Sequence, residues 1–255
     1  MRKDTVTLRC PDHAALENLA AFGDTGRVHE SNPIATTSVT SRWRWAEMVL
    51  LFGAGPALLA QAPGVLVIPG ILVGAGVCLA LLLRDATFDR RWLWNAAAAG
   101  ARQLLVPMLV RTAIGCLALL LLVVLVRPEA LFQLPRARPG LWLIILVAYP
   151  LLSVYPQELI FRTFLFHRYR ALLPPRALLL TSAVTFGYAH VVLHNLPWVL
   201  LSLLGGLLFA STYQRSRSTL LVAIEHAIYG CFVFSVGLGG LFYAGGRTLS
   251  STFRL

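Results

Sequence analysis

The chain has 255 residues, of which 57% are hydrophobic and 13% charged, and its mean hydropathy is +0.71. A soluble domain of this size cannot be that apolar, so composition alone points to a multi-spanning membrane protein. Lysine and arginine outnumber acids 22 to 11, a net charge of +11. The arginines punctuate hydrophobic runs rather than forming a basic patch, which excludes nucleic acid as a partner and assigns them to the edges of a lipid bilayer. Four cysteines, Cys10, Cys78, Cys116 and Cys231, form no CxxC pair and read as packing residues.

Residues 1–42 are polar, mixed in charge and without a signal-peptide core, so they read as a cytosolic tail ahead of a transmembrane domain over 43–255. A spanning helix needs about 20 mostly apolar residues, or about 17 at the least. On that rule the chain is an all-α bundle of about seven spanning helices. The first runs from Trp45 to Gln61 and the second from Pro63 to Leu83, joined by an uncharged turn into a hairpin. Arg84 to Gln103 mixes arginines with Trp92 and Trp94, as an interfacial loop does. The third helix covers Leu104 to Val126, and Arg111 near its start is read as snorkelling to the surface without a function.

The fourth begins near Leu141 and continues through Glu158 towards Tyr169, longer than one crossing, until Pro174 and Pro175 stop it. The fifth, sixth and seventh span Ala177 to Leu193, Leu196 to Tyr213 and Thr219 to Gly239. Gly205, Gly206 and Ser211 on the sixth suit close helix packing. The arginine bias of the loops at 84–103, 167–176 and 214–218 predicts that these face the cytoplasm, with the N-terminus inside.

An ionisable side chain at the bilayer centre costs roughly 2.5 to 3.5 kcal/mol and normally faces a partner or a wet cavity. Glu158 and Arg162 are four apart on one helix face and can serve each other. Glu158 lies 12 residues before Arg170, roughly 18 Å at 1.5 Å per residue. His190 sits at similar depth and His226 at roughly 11 Å, so the three can meet in one pocket. A carboxylate and two histidines in a partly dry site suit hydrolysis, with the carboxylate activating water. Each histidine alone could equally serve an interhelical hydrogen bond. His194, four residues after His190, has chelating spacing but reads as interfacial, and Glu225 either orients a neighbouring histidine or pairs with an arginine.

Three blocks, Gln157-Glu158-x-x-x-Arg162, Phe186-x-x-x-His190 and His226-x-x-x-Gly230, lie in that order on late helices. Together they resemble the CPBP family of intramembrane proteases, which includes CAAX prenyl proteases and bacteriocin-processing, Abi-like immunity proteins. The family pattern is Glu-Glu-x-x-x-Arg, Phe-x-x-x-His and His-x-x-x-Asn, and the resemblance covers about 141–240. It implies an intramembrane endopeptidase of a bacterial cytoplasmic membrane, acting on a membrane-associated peptide or protein, with Glu158, Arg162, His190 and His226 as catalytic residues. Gln157, Phe186, Glu225, Tyr229 and Gly230 are then supporting. Gln157 stands where the family has its first glutamate and Gly230 where it has asparagine. Glu158 would have to take over water activation, and Tyr229, Gln157 or Arg162 would have to supply the oxyanion donor. The alternative is an inactive relative that binds peptides or membrane partners in immunity or assembly. A zinc ion on His190 and His226 and a metal-free site both stay open.

Overall fold

The computed structural model describes residues 42–95 and 99–239, with backbone alone for 99–102; the expected tail, apart from Arg42, lies outside them. The described residues are helical with short connections and contain no strand. Helix α1 covers 42–61 and widens into a π-turn at Leu50–Ala54 just before Gly55 and Pro56. Helix α2 is Val67–Arg84, and α3, Ala99–Val126, begins inside the stretch read as an interfacial loop. A short helix at Gln133–Ala137 leads to α4, the 30-residue Pro139–Arg168. Then come α5, Pro175–Ala189, ending in the 3-10 turn His190–Leu193, followed by α6, Leu196–Ser216, and α7, Thr219–Val236.

Six of the described helices are long and apolar enough to cross a membrane. The exception is α1, which carries Arg42, Arg44, Glu47 and Gln61 within 20 residues. Its contacts nevertheless run the thickness of the bundle. Near its start, Glu47 takes a bidentate pair from Arg168 at the end of α4, at 2.9 and 2.7 Å. Near its end, the Ala60 carbonyl accepts from His194, beyond the far end of α5, at 3.0 Å. The count of about seven therefore holds as six helices by composition plus α1 by its contacts.

The bundle is apolar outside, as lipid demands, and sets its polar side chains inside an otherwise apolar core. Val73, Val77, Leu117, Leu121, Leu143, Val147, Leu180 and Leu204 are exposed. Glu158, Arg162, Thr163, Ser182, Thr212, Thr219, Glu225 and His226 are buried. Helices α5 and α6 approach closely because a Cβ on Gly206 would meet the Ala183 Cα at 3.0 Å and one on Gly187 the Leu203 Cα at 3.0 Å. Of the two glycines expected at a tight contact, Gly206 makes it, whereas Gly205 faces Phe209 of its own helix.

Candidate active site

Helix α4 builds most of the site, and two prolines make it irregular. Pro150 offers no N–H to the Leu146 carbonyl and Pro156 none to that of Leu152. The helix responds with π-turns at Pro150–Val154 and Leu159–Phe164, which bracket the α-helical Tyr155–Glu158. Neighbouring helices supply donors to exposed carbonyls: Cys231 Sγ of α7 reaches Leu146 O at 4.0 Å, and Ser182 Oγ of α5 donates to Phe161 O at 2.7 Å.

Glu158 is fully buried. His226 Nδ1 lies 2.7 Å from its Oε1, and Arg162 Nε 3.1 Å from its Oε2. With Nδ1–H given to the carboxylate, the other nitrogen of His226 keeps its lone pair, and the Tyr149 hydroxyl stands 3.3 Å from that Nε2. Phe209 stacks on the imidazole at 4.7 Å between centroids.

His190 takes a different place. Its Nδ1 donates to the Phe186 carbonyl at 2.8 Å, which leaves Nε2 as acceptor. No hydrogen bond joins it to Glu158; the two are linked through the Phe186 ring. That ring lies 4.7 Å from the His190 ring, 5.4 Å from the His226 ring and 4.1 Å from the Arg162 guanidinium carbon. Arg162 itself is fully buried. Its three nitrogens make no hydrogen bond of good geometry, and neither does Glu158 Oε2. The pair is held by charge and by the faces of Phe186 and Phe209, with the guanidinium donors unspent.

The remaining residues divide. Gln157 donates its amide to Ser153 Oγ at 2.7 Å, one turn back on its own helix. Glu225 does not orient a histidine. It pairs with Arg111 and accepts from Thr212 at 2.7 Å. Arg111 therefore does not snorkel: a buried acid on α7 is a stronger partner than the membrane surface, and Thr212 Oγ1 takes a further bond from it at 2.6 Å. Tyr229 is not a donor to the site, because its hydroxyl reaches the Arg111 carbonyl at 3.3 Å in the space left by Gly115. Tyr149, absent from the sequence reading, stands where Tyr229 was expected. The 3-10 turn after Ala189 breaks the helical face that His190 and His194 would share, and His194 is engaged by Ala60.

A zinc ion does not fit this donor set. Each histidine keeps only Nε2 for a metal, the nearest carboxylate faces a guanidinium, and among the described residues no three His, Cys, Asp or Glu side chains come together, short of the three protein ligands a catalytic zinc takes.

Residues 139–232 match the family model described as type II CAAX prenyl endopeptidase, Rce1-like. This part of the chain is an Rce1-like domain. It runs from the start of α4 into α7 and contains all three motifs, while α1 to α3 lie before it. Four of the six apolar helices lie in this match or run into it and two precede it, so the chain is an integral membrane protein whose later part resembles a CAAX-type endopeptidase. No curated protein and no solved structure matches it significantly.

Proposed function

We propose that the protein is an intramembrane endopeptidase in which Glu158 activates water through His226. The observation that carries this reading is the 2.7 Å bond between His226 Nδ1 and a carboxylate whose other oxygen lies 3.1 Å from Arg162 Nε. Such a carboxylate fixes the histidine tautomer and steadies the imidazolium that forms when Nε2 takes a proton. Water adds to the peptide carbonyl as its proton passes to Nε2. That proton then leaves with the amine as the C–N bond breaks. His190 Nε2, a second free acceptor, holds the water, and the unspent Arg162 donors stabilise developing negative charge.

Glu158→Gln tests this, because it keeps the shape and removes the charge. Cleavage should fall by about 10³-fold, within the range of general acid–base contributions, while the folded protein persists in size-exclusion and thermal unfolding. Activity retained in Glu158→Gln would sink the reading. A second reading, an inactive peptide-binding relative, is favoured by Gln157, whose amide is tied to Ser153 where the family places a carboxylate. Inactivity of the wild type, with cleavage gained by Gln157→Glu, would establish it.

We infer that the arginine-rich loops face the cytoplasm. They gather at one end of the domain: Arg170 donates to Thr87 at 2.9 Å, Arg217 lies over Trp92 at 5.3 Å, and Gln214 donates to the Pro175 carbonyl at 3.0 Å. Single cysteines at positions 90, 170 and 217 should react with an impermeant thiol reagent only after cells are opened. Labelling in intact cells reverses the orientation.

A further inference from the structure

The volume beside Gly230 is already filled. A Cβ built on that glycine would lie 2.6 Å from the hydroxyl oxygen and 2.7 Å from Cζ of Tyr149, so no side chain fits there while Tyr149 stays. The tyrosine is held in that seat on two sides. Its ring meets Phe234 edge-on at 5.3 Å and the imidazole of His226 edge-on at 6.2 Å. Its hydroxyl points at His226 Nε2, the nitrogen whose lone pair the Glu158 bond leaves free. Among the hydroxyl groups of the described residues, Ser153 is engaged by Gln157, Thr212 by Arg111 and Glu225, and Tyr229 by Arg111.

We propose that Tyr149 completes the site: seated in the space that Gly230 leaves open, its hydroxyl caps the free nitrogen of His226 at rest and passes to the carbonyl oxygen under attack. The catalytic half rests on the endopeptidase reading; the resting hydrogen bond does not. When peptide and water enter, the phenolic O–H turns from Nε2 to the carbonyl oxygen. Nε2 is thereby free to take the water proton as the new C–O bond forms and the carbonyl pair moves onto oxygen. That oxyanion keeps the Tyr149 hydrogen bond until the C=O re-forms, the C–N bond breaks and the imidazolium returns its proton to the leaving amine. Tyr149 ends as it began, protonated. The glycine and the tyrosine thus form one unit: a side chain at 230 that could itself donate requires a small residue at 149.

The full chain in detergent micelles is assayed on two quenched-fluorescent peptides ending in a CAAX sequence, one farnesylated and one not. His226 is followed in parallel by 15N resonances of histidine-labelled protein. Tyr149→Phe keeps the ring and its seat. It should lower kcat by about 10² to 10³-fold with KM unchanged, as loss of one oxyanion donor does. It should also move the His226 Nε2 resonance and leave Nδ1 in place. Tyr149→Ala with Gly230→Asn, which puts an amide into the vacated volume, should recover about tenfold or more over Tyr149→Ala alone. Unchanged kcat in Tyr149→Phe, no recovery in the double variant, or an unmoved Nε2 resonance each overturns the proposal. A wild type that cleaves neither peptide speaks against the endopeptidase reading, and the Nε2 resonance then decides the placement of Tyr149 alone.

Discussion

Two fully buried glutamates lie in this bundle, and they are held in opposite ways. Glu225 on α7 is saturated, with an arginine from α3 on one oxygen and a threonine hydroxyl from α6 on the other. Glu158 on α4 has one good hydrogen bond, from His226, and an ion pair whose guanidinium keeps all three nitrogens unbonded against two phenylalanine faces. A buried polar group normally finds its partners, so the saturation of Glu225 marks a structural tie, while the incomplete satisfaction of Glu158 favours it for the chemistry proposed above. The contrast teaches that burial alone does not separate the two acids. What their partners leave unspent does.

The comparison can be broken from either side. The largest effect expected is on Glu158: Glu158→Gln removes about 10³-fold of activity and leaves the unfolding temperature almost unchanged. At Glu225 the effects should reverse. Arg111→Met strands a carboxylate and should cost about 3 kcal/mol in reversible SDS unfolding, the low end for a broken buried pair because the guanidinium is partly exposed. Arg111→Met with Glu225→Leu removes both charges and should restore most of that stability. If Arg111→Met instead abolishes cleavage without loss of stability, Glu225 belongs to the chemistry and the contrast fails.

Smaller effects sharpen the frame around the two acids. Gly206→Val drives a side chain into the Ala183 backbone and should cost roughly 1 to 3 kcal/mol by pushing α5 from α6, which also misplaces Phe186. The least effect belongs to Asp85, in the loop after α2, which accepts from Thr87 and from His167. The Thr87 bonds first, then His167, hold its carboxyl below the usual carboxylate range. A depressed folded-state pKa contributes stability above the unfolded value and loses it as pH falls through the folded one. Asp85→Asn should therefore lower stability slightly at pH 7, by less than about 1 kcal/mol for a partly exposed group, and not at all at strongly acid pH. Equal destabilisation at both ends of the pH range would show that the amide disturbs the loop for another reason.

Much of this was legible in the residues. The spans follow from runs of apolar residues, which must bury their backbone bonds internally in lipid. The spacing of Glu158 and Arg162 sets them on one face, and they pair. The depth argument brings His226 to Glu158 because rise per residue is constant along regular helices. Arg111 was misread because a sequence shows distance to the helix end but not the acid on another helix that outbids the surface. Helix α1 was read from the apolar run Trp45 to Gln61, yet it is not among the six helices apolar enough to cross by composition, and the contacts at its two ends carry it through the bundle.

Tyr149 is the residue that the sequence by itself could not place. On an unbroken α-helix, nine residues turn about 900°, which sets Tyr149 and Glu158 roughly 180° apart, on opposite faces. The π-turn at Pro150–Val154 absorbs one residue, so the pair behaves as if eight apart and the separation falls to roughly 80°. The prolines at this turn are visible in the sequence, but its width is not, and in the fold Cys231 of α7 lies 4.0 Å from the Leu146 carbonyl that Pro150 leaves without a donor. Sequence thus determined which residues carry charge and at what depth, since both follow from local chemistry and constant rise. The tertiary structure decided which lone pairs remain free, since that depends on partners from four helices meeting at one point.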